Sequence, residues 1–427
     1  MMNNRINLLM ISLYIFFFLF MFSNVMSRIL GVNINGALYL AFFMSLLFSI
    51  MSLRVNAVSI ATLILAVFML IYIADYRYSL EANLMTLKDF ILPVFSFFIG
   101  VSLARHREIM IARLNGLLTL NASYGVLQEL SFYFGTLPSW LPWDAAHIDA
   151  LLSKGQVSIF QGPLLRFFGT MNSYVEYQVT LVFFTALVLF NADVLRKKRL
   201  LYVNVLLVLL FLVLGVERSP IMMALVLLSF WKWKSILRSA LRPVTVIAFL
   251  ILIITLSLFG EVRSLETTRV SIAIERLKSV VTLAILQDEA IQERINVQWA
   301  EAFNMSVRNY TGIGPGRVAP SSQELPGYIG PHNNFLLMHL AYGYFGFLLF
   351  LTYLSIILLQ LWRLPGNQRY FGYGLVASYS IMGMFNLPFT GKMGIMFFLI
   401  VGFLTHISTD GEHSVSLLGY TQQNSTL

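Results

Sequence analysis

The chain has 427 residues, of which 58% are hydrophobic and only 11% are charged. This composition excludes an ordinary soluble globular protein, in which charged residues are about a quarter of the chain. In a soluble protein the formal net charge of +9 would suggest binding to nucleic acid, but in a membrane protein such an excess is typical of basic cytoplasmic loops. The absence of cysteine excludes disulfide bonds and thiol chemistry.

Repeated apolar runs predict an all-α polytopic membrane protein with about twelve transmembrane helices, so that residues 1–427 form a single integral membrane domain. The first run carries Arg5 and no small-residue cleavage site, which indicates a retained span rather than a signal peptide. Basic residues of the connections collect on one side if both termini are cytoplasmic. The predicted spans are residues 6–27, 35–53, 57–74, 84–104, 109–134, 174–193, 200–216, 219–231, 243–259, 334–361, 370–387 and 391–407.

Two connections on the outer, periplasmic side are too long to be turns, residues 135–173 and residues 260–333. Apolar residues at helical spacing in the second predict two amphipathic helices, around residues 270–284 and 291–303, which lie on the membrane surface or cap a cavity. The segment Gly312-Ile-Gly-Pro-Gly316 then predicts an irregular loop that breaks the helix. The polar segment 408–427 is predicted to be a disordered cytoplasmic tail.

His332 is the first candidate for chemistry, because it follows Pro331 and directly precedes a span. A neutral imidazole at this outer interface could act as a general base for a hydroxyl nucleophile. The alternative on position alone is an interfacial histidine with a structural hydrogen bond. His339 lies deeper in the span and is predicted to be a packing residue.

Arginines on the outer side are the second group of candidates. Arg218 lies between two apolar runs, where a charge is costly unless it is paired or faces a polar cavity. Its guanidinium suits a phosphate, and the alternative is a salt bridge with Glu217. Arg166 closes the first outer connection, and Arg294 is expected on the polar side of the helix that carries Trp299; either could be an ordinary solvated charge. The acids near span ends are Asp75, Glu176 and Asp193. This scarcity does not favour a carboxylate pair or an acidic metal site.

His332-Asn333, followed by Gly343 and Gly346, resembles the signature of the O-antigen ligase and polymerase superfamily. Three further pieces match in the same order over about residues 160–360. They are Arg166-Phe-Phe-Gly169-Thr-Met-Asn172, then Gly215-Val-Glu-Arg218-Ser219, and then Arg294 and Trp299 with Gly312-Ile-Gly-Pro-Gly316. Glu217 and Pro220 depart from the family pattern beside Arg218, which puts the local geometry of that turn in doubt.

The resemblance implies an inner-membrane glycosyltransferase with a C-type fold and a periplasmic active site. Such enzymes take a glycan from undecaprenyl diphosphate, invert the anomeric centre and need no nucleotide sugar, metal or cofactor. His332 would be the general base, and Arg218 and Arg294 would bind the diphosphate, with Arg166 as a weaker candidate. Gly343 and Gly346 would allow close packing. The residues predicted to contribute to substrate binding are Arg166, Asn172, Asn333, Gly314 and Gly316.

Within this superfamily the favoured activity is polymerisation of lipid-linked repeat units into O-antigen, capsule or exopolysaccharide. The alternative is an O-antigen ligase, which transfers the glycan to lipid A–core. A flippase for the lipid-linked unit is a third hypothesis, disfavoured because the chain shows no two similar halves. The predicted partners are the lipid-linked donor, a glycan or lipid A–core acceptor and membrane lipids, with a chain-length regulator as a further candidate.

Overall fold

The computed structural model describes residues 2–51, 55–73, 79–134, 160–161, 164–165, 171, 174–214, 218–230, 289–322 and 327–422. The regular structure of the described chain is helical apart from one antiparallel pairing of two short strands, β1 (Phe160–Gln161) and β2 (Leu164–Leu165). This pairing falls inside the predicted outer connection 135–173, for which the sequence pattern indicates no strand. The predicted span 243–259 and the predicted helix 270–284 lie outside the described residues.

The helices of the first half are long and apolar, as the hydrophobic runs predict. One π-helical turn, Leu87–Ile91, joins α4 to α5 without a break in the span. In chain order they are α1 (Met2–Leu30), α2 (Asn35–Ile50), α3 (Ala57–Ile73), α4 (Leu80–Thr86), α5 (Leu92–Arg105) and α6 (Arg107–Phe134).

The helices of the second half include a second π-turn, Arg294–Trp299, which joins α10 to α11. In chain order they are α7 (Tyr174–Phe190), α8 (Arg199–Leu214), α9 (Arg218–Phe230), α10 (Glu289–Glu293), α11 (Ala300–Arg308), α12 (Asn334–Trp362), α13 (Gly366–Phe385) and α14 (Gly391–Gln422). Every predicted span outside residues 231–288 therefore coincides with a helix, and the predicted outer helix at 291–303 is present as α10–α11.

Helix α14 corrects the prediction of a disordered tail, because it continues to Gln422. The polar residues after His406 extend a helix that the preceding apolar run has already nucleated, and propagation costs less than nucleation.

Three helices of the described residues are long and apolar enough to cross a membrane, namely Asn7–Ser27, Leu80–Arg105 and Asn334–Trp362. Helix α3 is shorter, and it exposes an apolar stripe that includes Ile60, Leu63, Ile64 and Val67. A stripe of this kind at helical spacing is costly in water and favourable in lipid. The chain is therefore a membrane protein, whereas the total of about twelve spans remains a prediction.

The chain divides into two compact units. The first comprises Met1–Ser45, Glu108–Leu225 and Lys232–Ile285. Its interior contains a polar contact between α6 and α8, where Asn204 Nδ2 donates to Asn115 Oδ1 at 2.7 Å and Thr119 Oγ1 donates to Asn204 Oδ1 at 3.0 Å. Tyr177 of α7 donates its hydroxyl to the carbonyl of Asn121 at 3.0 Å. Interhelical hydrogen bonds of this kind add to packing where lipid offers no hydrophobic driving force.

The second unit comprises Leu46–Arg107, Val226–Trp231 and Leu286–Leu427, and it contains the loop–helix joint around His332. Helices α5 and α14 pack closely in this unit because Gly100 and Gly402 have no side chain; a Cβ on either would overlap the backbone of Leu399 or Phe97. Ser96 Oγ adds a hydrogen bond of 2.7 Å to the carbonyl of Ile395. This tight helix pair stabilises the second unit.

Candidate active site

His332 has a strained backbone near the start of α12. It lies at the end of the outer loop, which is the segment 309–333 between α11 and α12. Its φ is +45°, and no other non-glycine residue in the described part of the chain has a positive φ. This conformation costs on the order of 1 kcal/mol for a residue with a side chain and persists only when the surroundings impose it. The strain therefore points to His332 as a residue whose position is fixed by its neighbours.

Asn333 is the first of these neighbours, and it caps α12. Its Oδ1 accepts the N–H groups of Phe335 and Leu336, each at 3.0 Å, and its Nδ2 donates to the carbonyl of Met384 at 3.1 Å. The cap satisfies two N–H groups at the helix start that have no partner within the helix. Asn333 thus fixes His332 relative to the end of α13, and its predicted contact with substrate remains a prediction.

Arg294 is held by the same helix end. Its Nη1 donates to the carbonyl of Phe385 at 3.1 Å, and the ring of Trp299 lies 5.8 Å from the ring of Phe385. Arg294 and Trp299 therefore contact the same residue of α13. The physical reason is the π-turn, whose hydrogen bonds join each residue to the fifth along the chain and so bring these two side chains onto one face.

The carboxyl end of α13 organises the site, and the sequence analysis missed it. The last carbonyls of a helix have no partner within the helix and carry a partial negative charge. Met384 and Phe385 use theirs to bind an amide and a guanidinium, and this places Arg294 beside His332. The only sequence signal was the end of an apolar run at Asn386.

The electrostatics at His332 follow from this arrangement. Burial lowers the pKa of the His332 imidazole below its usual range, and the positive charge of Arg294 lowers it further. The imidazole is therefore neutral at pH 7, with a nitrogen able to accept a proton. The geometry can support general base catalysis next to a fixed positive charge.

Two further polar atoms lie on the same π-turn as Arg294. The indole N–H of Trp299 and the side-chain carbonyl of Gln298 are buried and have no hydrogen-bond partner within the part of the chain that the structure describes. Buried polar groups are normally paired, and an exception needs an explanation. These atoms offer a donor and an acceptor to a polar ligand beside Arg294.

Helix α12 is interrupted at Gly343, where φ is +68° and ψ is −170°. The outer loop supplies hydrogen bonds at this break. The N–H of Ile313 donates to the carbonyl of Leu340 at 2.7 Å, and the N–H of Tyr344 donates to the carbonyl of Tyr310 at 3.0 Å. A Cβ on Gly312 would come within 2.7 Å of the Gly343 nitrogen. Close packing is therefore confirmed for Gly343, although its partner is a loop rather than a helix.

The other glycines shape the same region. At Gly346 a Cβ would come within 2.9 Å of Phe68 in α3, so this position allows the helix contact that the sequence predicts. Gly314 has φ +92°, and both Gly314 and Gly316 are buried. The predicted irregular loop contains a short 3-10 turn at Pro315–Arg317, and the role of these glycines in substrate binding remains a prediction.

Residues 203–351 match a protein family described as O-antigen ligase. Over this segment the chain resembles the O-antigen ligase family. The match contains Arg218, Arg294 and His332, so the strained histidine and its arginine both lie inside the family segment. No curated protein matches the chain.

The structure describes only part of the predicted site. Arg294 and His332 are neighbours in the second compact unit. Arg218 is the first residue of α9 and belongs to the first unit, and its side chain is outside the described part of the structure. Arg166 and Asn172 lie outside the described residues altogether.

His339, on the membrane-embedded part of the O-antigen ligase segment, is a packing residue as predicted. It is buried, and its ring centroid lies 4.2 Å from that of Tyr344 and 5.7 Å from that of Phe347. These edge and stacked contacts are typical of an aromatic core.

Asp89 is the acidic residue that the sequence analysis overlooked. It lies in the span Leu80–Arg105, upstream of the family segment, and is 3% exposed. A carboxylate inside an apolar run is expensive and usually functional, so the signal was present in the sequence. The acids named from the sequence, Asp75, Glu176 and Asp193, lie near span ends instead.

Proposed function

We propose that the protein is an inner-membrane glycosyltransferase that polymerises undecaprenyl-diphosphate-linked oligosaccharide repeat units at the periplasmic face. The product would be an O-antigen, a capsule or an exopolysaccharide. The observation that carries the proposal is the strained, neutral His332 held beside Arg294 within the O-antigen ligase segment.

In this proposal His332 accepts the proton of the acceptor hydroxyl as the oxygen attacks the anomeric carbon of the donor sugar. The new C–O bond forms on the face opposite the leaving group, and the bond to undecaprenyl diphosphate breaks, so the anomeric centre is inverted. The proton on His332 then passes to solvent. A base with a pKa near or below the working pH is suited to this step.

Arg294 would stabilise the negative charge that develops on the leaving diphosphate. A guanidinium presents several N–H donors in a plane, and Arg294 uses one nitrogen to bind Phe385. The remaining donors suit phosphate oxygens, and a fixed positive charge at the leaving group lowers the barrier without reorganisation. Arg218 is proposed as a second such residue, and the proposal leaves charge stabilisation to arginines rather than to a metal.

A second candidate is ligation, because the matching family is described as O-antigen ligase. A ligase would use the same donor, the same base and the same arginines. It would differ in the acceptor, which is lipid A–core instead of the next lipid-linked repeat unit.

The surface polysaccharide of a deletion strain of the native host separates these functions. Lipid A–core that carries a single repeat unit is the expected result and indicates loss of a polymerase. Bare core together with accumulated lipid-linked polymer would instead assign the ligase function. Repeat units stranded on the cytoplasmic face would overturn both and indicate a flippase.

A further inference from the structure

A buried carboxylate ties the outer loop to a transmembrane helix. Asp89 lies on the π-turn Leu87–Ile91 between α4 and α5. Its Oδ2 accepts the backbone N–H of Ser321 at 2.6 Å, and its Oδ1 accepts the Ser321 hydroxyl at 2.9 Å. Hydrogen bonds to a carboxylate are about twice as strong as neutral ones, and both oxygens of Asp89 are engaged.

Ser321 is fixed from a second direction. Lys88 Nζ donates to the Ser321 hydroxyl oxygen at 3.0 Å from the exposed side. The hydroxyl therefore accepts from the lysine and donates to the aspartate at the same time. Adjacent residues of one π-turn thus hold a single serine of the loop, and π-turns of this kind often occur at functional sites.

The loop that contains Ser321 also closes on itself near Asp89. The N–H of Ile329 donates to the carbonyl of Arg317 at 3.0 Å, so the segments on either side of Ser321 run together. Burial raises the pKa of the Tyr328 hydroxyl, and the negative charge of Asp89 raises it further. A Cβ on Gly330 would lie 2.5 Å from the Tyr328 hydroxyl oxygen. Tyr328 therefore packs against Gly330, two residues before His332.

Contacts near its start, its middle and its end therefore hold this loop. Ile313 binds the interrupted turn of α12, Ser321 binds Asp89, and Asn333 binds the end of α13. The strained φ of His332 at the end of the loop needs such support, because a free loop would relax to a cheaper conformation.

We propose that Asp89 is a positioning residue for His332, which acts by holding Ser321 so that the loop delivers the imidazole to the reacting hydroxyl. This inference rests on the proposed glycosyl transfer. Asp89→Asn keeps the size of the side chain but removes its charge, and its NH₂ group can no longer accept the proton of the Ser321 hydroxyl, so the charge-assisted contacts are replaced by weaker neutral ones.

The experiment compares full-length wild type, Asp89→Asn and Ser96→Ala in lipid nanodiscs. Ser96→Ala is the matched control, because Ser96 lies on the same span and also makes a buried hydrogen bond, but to α14 instead of the loop. Hydrogen exchange measured by mass spectrometry reports the peptide that covers residues 315–333. Transfer kinetics use lipid-linked donor extracted from the deletion host.

Asp89→Asn is expected to raise exchange in the loop peptide and to lower kcat on the order of 10- to 100-fold with little change in the KM of the donor, because a misplaced base slows the chemical step more than binding. Ser96→Ala should leave loop exchange and kcat unchanged. Ser321→Ala should reproduce the Asp89→Asn effect in part, and Ser321→Thr should restore it, since threonine keeps the hydroxyl.

Unchanged exchange in both Asp89→Asn and Ser321→Ala overturns the anchoring of the loop by Asp89. Faster exchange with an unchanged kcat overturns the positioning of His332. If the wild-type protein shows no transfer, the proposed function fails, while the exchange measurement still decides whether Asp89 holds the loop. If Asp89→Asn does not fold, the Ser321 variants carry the same comparison.

Discussion

At two places in the second unit, glycines let two backbone segments come into close contact, but the local structure differs between them. Where α5 meets α14, Gly100 and Gly402 let regular helices touch, and each helix keeps its own hydrogen bonds. Where the outer loop meets α12, Gly312 and Gly343 also touch, but the helix is broken and the loop supplies the missing partners.

The difference shows how a transmembrane helix can contain a break while its backbone N–H and C=O groups still have hydrogen-bond partners. Exposed N–H and C=O groups are costly in lipid, so a broken helix is tolerated only where protein replaces the lost bonds. The α5–α14 contact contributes stability alone. The loop–helix joint gives up helical regularity, and in return it ties the loop that ends at His332 to α12.

Gly402→Ala is predicted to have the largest effect on the amount of folded protein. The added Cβ would overlap the carbonyl of Phe97, and overpacking against backbone costs about 3 kcal/mol. We expect a sharp fall in membrane-inserted protein and in thermal stability in detergent, measured by fluorescence-detected size-exclusion chromatography. A stable Gly402→Ala protein would mean that the two helices do not pack through these glycines.

Gly343→Ala is predicted to affect transfer more than insertion. The backbone at Gly343 lies in a region that is almost restricted to glycine, and a Cβ would also press on Tyr310 and Thr311 of the loop. Displacement of the loop moves His332, so the transfer rate should fall on the order of 100-fold. Gly366→Ala, at the start of α13 with open space around it, is the matched control. Equal losses of insertion in Gly343→Ala and Gly402→Ala would erase the distinction between the two contacts.

Arg294→Gln is predicted to have a smaller effect, which is visible in the pH dependence. The pKa of His332 is lowered by burial and by Arg294, so the wild type keeps a neutral base until the pH falls below the usual histidine range. Without the charge the pKa of His332 rises, and the acid limb of the rate profile moves to higher pH. Loss of one phosphate contact should also lower the rate at neutral pH by about tenfold.

The control for Arg294→Gln is Arg308→Gln, which removes an exposed charge from the same outer helix. This variant should keep the wild-type pH profile. An unmoved acid limb in Arg294→Gln would show that Arg294 does not influence the base.

The sequence predicted the helices well because a long apolar run leaves few other structures open in a membrane. The family resemblance, rather than the residue pattern, put Arg294 and His332 in one predicted site. The sequence did not predict the end of α13 as their common support, because free carbonyls at a helix end have no residue signature. The π-turns at Asp89 and Arg294 were also missed, because no residue type marks the single extra residue that such a turn contains.

The most direct measurement of the central claim is complementation of the deletion strain with His332→Ala, beside His339→Ala as a control two helical turns deeper. We predict that His332→Ala inserts normally but yields no long surface glycan, because loss of a general base slows transfer by on the order of 1,000-fold. His339→Ala should retain long glycan. Glycan of normal length in the His332→Ala strain would contradict the assignment of His332 as the base.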